Sequence, residues 1–478
     1  MKTMKHIIWM AAIALTAATW TACSNEDELT VTEQPAQSRT FTVTTTLSPR
    51  NGAATRSTMT DNGDGSISAA WEVGDQISVL YTNIGNSLEE TTATVTGVDP
   101  TTKAATISLT LTDPKDGGDI GFGYPYSLYT GTKNLRTDQI GTLADINANF
   151  AGIYDDVKMT VSGSNITLPA VTMEPAMCIW KFSFTDGTSD ITSDITSDIT
   201  KLVIDFPNDG EDPYEITPSS QNTIYVAIYA DEDVITAQPI TIYAKTATGV
   251  YRKSAASVTL ASGRTYTTSG LALSSAAAAN AVAGDLGKVI GADGNIYPNS
   301  AIATAIGTTA RAKITYVGSA TGESSTYNHG LALAMSDANS GNNSEWSTST
   351  SSTVHVHRSL YDNFSSESGL QYNASQNTDD YPAFKAAITN NGIATLTGCS
   401  AWFLPTCYQL NQMITAAGGS TALRDGFSSV GGSNMSISLY WLATEKESSK
   451  AWVYNFYQQC FSENNKMYPC KVRAALAF

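Results

Sequence analysis

Cys23 carries the most definite chemistry in this chain, a thiol set up for acylation. Lys2, Lys5 and His6 make a basic start, Ile7 to Ala18 is almost wholly apolar, and Trp20-Thr21-Ala22 leads into the cysteine. Such a segment is a secretory signal, residues 1–22, whose apolar core is too short to span a bilayer as a stable helix. A small residue directly before a cysteine suits the lipoprotein signal peptidase, which cleaves there once the thiol has been diacylated. Cys23 is therefore expected to start the mature chain and to hold it to a membrane through its acyl chains, palmitate among them. Cys399, Cys407, Cys460 and Cys470 all fall in the last part of an exported protein, which predicts two disulfides with their pairing left open. Cys178 stands alone in an apolar run and is expected as a buried, inert thiol.

Bond-making chemistry finds little else to work with. His355 and His357 are two apart on an expected strand, Thr353–Arg358, and would share a face, but no third ligand stands at a telling spacing. The stretch Asp61-Asn-Gly-Asp64-Gly65 has oxygen ligands but lacks the full calcium-loop pattern, and reads as a hairpin turn. Asp190, Asp194 and Asp198 recur in a Thr-Ser-Asp-Ile repeat that reads as a solvated loop insertion. Carboxylates are plentiful, yet none forms a recognisable acid/base pair. The chain is expected not to be an enzyme, with no catalytic residue, no metal and no cofactor.

Composition bounds the partners. The net charge is −17, and without residues 1–22, which hold two lysines and no acid, it becomes −19. A chain this acidic does not bind nucleic acid by counterion release, nor an anionic bilayer through its surface. Charged residues make up only 15% of the whole, and Thr, Ser, Ala and Gly are abundant, which suits secreted β-structure with hydroxyl faces set against apolar ones.

The elements follow that grammar. Residues 23–38 are a polar, flexible tether. Phe41, Val43 and Leu47 alternate with threonines on a strand, and short strands recur through residues 39–165 with turn residues between them, the pattern of a sandwich. A second set fills residues 166–273. A small-residue linker, residues 274–284, precedes a region of different character, residues 285–478. Here Asp380 can cap and Pro382 suits the first turn of a helix. Thr406 and Gln409 form a capping box before Leu410, Met413, Ile414 and Ala417, and Gly418-Gly419 ends that helix. Strands close the chain, the last of them Lys471–Phe478, so this is an α+β domain. Trp71, Trp402, Trp441 and Trp452 are expected as core aromatics, and Arg473 as a partner for a carboxylate.

Several stretches resemble a known family. Ser24-Asn25-Glu26-Asp27-Glu28 resembles the acidic sorting tag of Bacteroidales surface lipoproteins. Trp71-Glu-Val-Gly74-Asp75-Gln-Ile77-Ser-Val79 and Tyr124-Pro125-Tyr126 look like the N-terminal domain of fimbrillin-like proteins, the type V pilins of Bacteroidales. Tyr225-Val-Ala-Ile-Tyr229 and Ser262-Gly263-Arg264-Thr-Tyr266 look like their second domain. The stretches His329–Leu333, Trp402–Thr406, Tyr440–Glu445, Ala451–Phe456 and Val472–Phe478 are similar to a lectin-like domain at the ends of some surface adhesins. The resemblance implies two transthyretin-like β-sandwiches followed by an α+β, C-type-lectin-like domain. It also implies a place on the cell outer membrane and in a fimbrium, and a role as a pilus tip subunit and adhesin.

In that family an arginine-specific protease cuts just after the first strand, and a neighbouring pilin fills the groove with its own strand. Carried onto this chain, Arg56 is the first choice of cleavage site and Arg50 the second. The final strand belongs to the C-terminal domain, so the chain is expected to accept a donor strand and not to give one. The Glu-Pro-Asn, Gln-Pro-Asp and Trp-Asn-Asp motifs of calcium-dependent lectins are missing. Loop aromatics and amides remain as ligand contacts: Trp346, Tyr361, Tyr457, Gln458 and Gln459. The expected partners are other pilins, and a glycan or a host or bacterial surface protein. The alternative is a freestanding surface lipoprotein that binds such a ligand without polymerising.

Overall fold

The computed structural model describes residues 39–49, 58–62, 67–150, 153–187, 194–219, 221–230, 235–349, 367–374, 376 and 379–478. Cys23, Arg50, Arg56, Asp190, His355, His357 and Tyr361 lie outside the described residues. No described helix is long and apolar enough to cross a membrane. The chain is mainly β, with helices concentrated in its C-terminal part. It divides into two compact units, one of described residues up to Ile242 with Lys253–Leu273, the other of Tyr243–Arg252 with Ser274–Phe478.

The first unit begins with β1 (Thr40–Pro49), β2 (Thr58–Asp61), β3 (Ile67–Ala70), β4 (Gln76–Thr82), β5 (Leu88–Val98) and β6 (Ala105–Thr112). β7 (Asp119–Tyr124), β8 (Ile153–Lys158), β9 (Thr160–Ser162), β10 (Asn165–Thr167) and β11 (Val171–Pro175) follow. Seven of these strands close into a barrel in the order β1-β11-β8-β7-β4-β5-β6. Period-two alternation turns Val43, Leu47, Ile77, Val79, Ile107 and Leu109 inward, where they are buried with Phe122 and Met173. Trp71 is a core residue as expected, and it meets the Tyr124 ring edge-on at 5.1 Å. Gly74, with φ +102°, makes the turn that feeds β4, a conformation other residues rarely adopt. β11 completes the barrel, so the sequence-based border at 165/166 moves to the end of β11. Val171 and Met173 pair with β1, which places β11 in the barrel and not in the second set of strands.

The second sheet uses β12 (Met177–Asp186), β13 (Lys201–Asp205), β14 (Tyr214–Ile216), β15 (Ile224–Tyr229), β16 (Ile235–Lys245), β17 (Val250–Leu260) and β18 (Thr265–Ser275). Their order is β14-β13-β16-β17-β18-β12-β15. Its edge strands β14 and β15 are both covered by the segment Arg136–Gly141. The carbonyls of Arg136 and Gln139 accept the N–H groups of Glu215 and Thr217, and the Gly141 carbonyl accepts that of Tyr225. Gln139 acts as a piece of backbone, its amide accepting from Ala227 N and donating to Ala227 O, each at 2.8 Å. Covered edges do not recruit foreign strands.

The second unit has a five-stranded sheet, in the order β20-β19-β21-β22-β26, of β19 (Val289–Gly291), β20 (Ile296–Tyr297), β21 (Ala310–Val317), β22 (Gly330–Ala334) and β26 (Ala475–Ala477). A three-stranded sheet joins β23 (Leu439–Glu447), β24 (Lys450–Asn455) and β25 (Cys460–Asn465). Its helices include α1 (Ser300–Ile306), α2 (Gly369–Ala374), α3 (Pro382–Thr389), α4 (Cys407–Ala416) and α5 (Ser420–Asp425). The capping box of α4 forms as the sequence predicts, Thr406 and Gln409 each satisfying the other's backbone N–H. In α3, Pro382 sits in the first turn, but the cap is Tyr381 and makes no side-chain bond, while Asp380 instead offers its carbonyl to Thr348. The stretch read as a linker is part of this unit: Ser275 pairs with Tyr251, Ala277 bridges to Asn295, and Ala278 is buried in the core. Small residues there allow close packing. The tip of the β16–β17 hairpin belongs to the same unit, with Arg252 clamping Asp285 through two bonds of 2.7 Å and Tyr243 packed on Tyr297.

Candidate functional site

β1 is joined to the barrel unequally on its two sides. Along β6 it forms a continuous antiparallel ladder from Thr40↔Thr112 to Leu47↔Ala105. Along β11 it pairs in parallel only through Leu47, Ser48 and Pro49. Phe41, Val43 and Leu47 are buried, opposite Leu111, Leu109 and Ala105. Each such side chain contributes about 1.5–3 kcal/mol by leaving water. Arg39 pins the entry: its N–H donates to Asp113 Oδ1 at 2.6 Å, its carbonyl accepts the Asp113 N–H at 2.8 Å, and its guanidinium lies over the Phe41 ring. From β4, Tyr81 Oη takes the N–H of Thr112 at the end of β6 and donates to the Thr112 carbonyl, both at 3.0 Å. The β6 backbone therefore stays satisfied beyond its pairing with β5.

The hairpin β2–β3, which follows the arginine-bearing segment, has an anchor the sequence did not reveal. Asp61 accepts hydrogen bonds from Lys181 Nζ and, at 2.5 Å, from Tyr225 Oη. Burial and this carboxylate both push the Tyr225 phenol upward. β2 and β3 pair antiparallel, as the hairpin reading of the Asp61–Gly65 stretch requires, and Asp61 serves as an ion-pair partner of Lys181. Among the described residues no group of three or more His, Cys, Asp or Glu could hold a metal ion.

The proposed ligand contacts separate. Tyr457 is 81% exposed, and Gln458 and Gln459 are exposed beside it in the turn between β24 and β25. Asn455 fixes that turn: its Oδ1 accepts the N–H groups of Tyr457 and Gln458, and its Nδ2 donates to Gln458 Oε1 at 3.0 Å. Trp346 is not a surface residue. It is fully buried, its indole N–H donating to the Leu442 carbonyl at 2.9 Å, with Phe384 and Tyr381 edge-on to the ring. Its backbone N–H bonds the Lys466 carbonyl, and that pulls an apparently polar loop into the core.

The cysteines do not form the expected disulfides: Cys399, Cys407, Cys460 and Cys470 are free thiols, as is Cys178. Burial pushes Cys178, Cys399 and Cys470 up to about 12, and Cys407 well above its usual range. Each of these fills an apolar site as a small hydrophobe, whereas Cys460 is exposed. Nearness in sequence and an oxidising compartment had argued for pairing, but Cys407 packs in a different core cluster from Cys399 and Cys470.

Besides the Arg252–Asp285 clamp, two further ion pairs are buried in the C-terminal unit among the described residues. Lys466 and Glu445 are both wholly inaccessible, and the ammonium also lies over the Trp346 ring at 4.7 Å. Arg473 meets Asp337 at 2.8 Å and donates to the carbonyls of Ala334 and Ser433, which supplies the carboxylate expected for it. The last residue, Phe478, is buried, and its carbonyl accepts from His329 and Gly330. Residues 475–478 are thus paired within the unit.

No family profile matches the chain, and no curated protein does. Among solved structures, the chain is similar to a fimbrial protein from Bacteroides ovatus, at 15% identity and a TM-score of 0.32, over 87% of this chain and 97% of that one. A candidate cell adhesion protein from Parabacteroides distasonis aligns at 7% identity and a TM-score of 0.25, over 50% of this chain and 94% of the other. Another, from Bacteroides eggerthii, aligns at 12% and 0.24, over 46% and 77%. At these scores the likenesses carry no argument about any site.

Proposed function

We propose that this protein is a non-catalytic cell-surface lipoprotein that serves as the tip subunit and adhesin of a fimbrium. Cys23 anchors it to the outer membrane, the barrel accepts a donor strand from a neighbouring pilin, and the C-terminal unit meets the ligand. The observation that carries this reading is the seam of β1. The first described strand, followed by a segment holding Arg50 and Arg56, closes the barrel through a long ladder on one side and a short one on the other. Its removal would expose the backbone groups of β6 and an apolar row at Leu111, Leu109 and Ala105, which is a template for strand addition. The resemblance of Trp71–Val79 and Tyr124–Tyr126 to fimbrillin-like proteins supports the same reading. Residues 475–478, paired within their own unit, are not offered as a donor strand.

An arginine-specific protease tests it. A cut after Arg56 or Arg50 is expected to let a synthetic peptide from a pilin C-terminus bind the cut protein and not the intact one. Resistance of the segment, or a cut protein that takes no peptide, would leave the freestanding lipoprotein as the answer.

A further inference from the structure

Two stretches that meet in the C-terminal unit are almost without charge. From Ala386 to Thr444 the charged side chains are Arg424 and Asp425 alone, and these bond each other through two contacts of 2.6 and 2.5 Å. Ala451 to Ser462 carries no charge. In a chain of net charge −17 they neither repel an uncharged ligand's polar groups nor select a charged one. The two stretches meet where the Phe456 N–H donates to the Ser438 carbonyl at 3.1 Å, which sets Ile437, 61% exposed, beside Tyr457. Gln459, in a left-handed conformation with φ +56°, accepts the Ser420 hydroxyl on Oε1, so the turn is tied to α5 as well as to Asn455. The ring of Tyr457 is therefore presented on a backbone that is already ordered, which spares a ligand the cost of ordering it.

We infer that the surface where these stretches meet binds an uncharged sugar, the Tyr457 ring packing on the apolar C–H face of a pyranose and the amides of Gln458 and Gln459 taking its hydroxyls. An aromatic body with a polar rim suits a molecule that is itself apolar on its faces and polar at its edge. Gln458 and Gln459 are exposed and each spends the carbonyl of the side chain on the protein, so what they offer a ligand is the NH2 donor. Protein-binding hot spots cluster Trp, Tyr and Arg anchors, and in these two stretches the one arginine is held by Asp425. Acidic sugars would meet the field of an acidic chain, and the one cation of the two stretches is already held by Asp425. The contacts invoked are a ring face and amide donors, so binding is expected to be independent of calcium. The inference rests on the adhesive part of the proposed function and is independent of strand acceptance.

A glycan array probed with the full mature chain tests it, using mannose-, galactose- and N-acetylglucosamine-terminated oligosaccharides beside sialylated and sulfated ones. Binding to at least one neutral class is expected, and it should persist in EDTA. Tyr457→Ala should weaken it at least about tenfold and Tyr457→Phe only slightly. Neither variant should move the unfolding midpoint, since the side chain touches little. Silence on the array, binding of acidic sugars alone, loss in EDTA, or wild-type binding by Tyr457→Ala would each overturn the inference. If the array is silent but Tyr457→Ala abolishes attachment to a purified host or bacterial surface protein, the sugar is wrong and the adhesive reading stands. If the intact chain attaches to neither, the adhesive reading fails with it.

Discussion

The N-terminal barrel and the C-terminal unit are held together by different means. The barrel closes with backbone ladders and apolar side chains, and one of its walls is the first described strand. Ladders of this kind can be exchanged, because an incoming strand offers the same N–H and C=O groups. The C-terminal unit is stitched by buried ion pairs and side-chain bonds to backbone that no other chain could replace: Lys466–Glu445, Arg473–Asp337, Trp346 to Leu442, Trp441 to Ser344. On the proposed function, the first region is the one to be opened and refilled, and the second the one that presents a rigid surface. Four variants or conditions would break that contrast or sharpen it.

Removing Glu445 should do most damage. Glu445→Ala leaves the Lys466 ammonium buried without its carboxylate, which costs about 3–5 kcal/mol. Urea unfolding should show the loss, and Glu445→Met with Lys466→Met should recover most of it. A single variant as stable as the parent would mean the pair is incidental to the rigidity of this unit. Leu47→Ala removes a wholly buried side chain from β1 and should cost about 2–4 kcal/mol. It should also speed the departure of the strand after cleavage, read by size exclusion, while Trp fluorescence of the C-terminal unit stays unchanged.

Acid gives a smaller effect. Burial alone would raise Asp285, but hydrogen bonds from Arg252 and Lys288 overcome it and hold the carboxyl at about 2. A carboxyl with a lowered folded value stabilises fully above its unfolded value near 4, and that contribution is lost as pH falls from there toward 2. Asp285→Asn should flatten the acid limb of the C-terminal unit's melting curve, and an unchanged limb would remove the clamp from the account. The least effect is expected from thiol labelling. Under native conditions Cys460 should react alone among Cys178, Cys399, Cys407, Cys460 and Cys470, with no change in stability.

What could be read from residues alone was local. The alternation at Phe41, Val43 and Leu47 and the Thr406/Gln409 box depend on neighbours in the chain, and both elements form where expected. Tyr457 reads as exposed because the turn around it is short and polar. Trp346 reads the same way, among Ser and Asn, and is buried because a carbonyl more than a hundred residues away captures its backbone. Gln139 had no signal at all, and Asp61 none for the partner it meets, since an amide that mimics a strand and an aspartate that pairs with Lys181 look like any polar residue of a loop. The expected disulfides failed for the same reason. Compartment and count say that pairing is permitted, while only the packing says which thiols can meet.

Hydrogen exchange on the protein cut in the segment after β1 tests the contrast most directly. With β1 released, amides of β6 that faced it should lose protection, and a pilin-derived donor peptide should restore it. Throughout, the amides of β21, β22 and β24 should exchange as slowly as in the intact chain. Protection of β6 that survives the loss of β1, or exchange that rises in β21, β22 and β24 alongside it, would contradict the account.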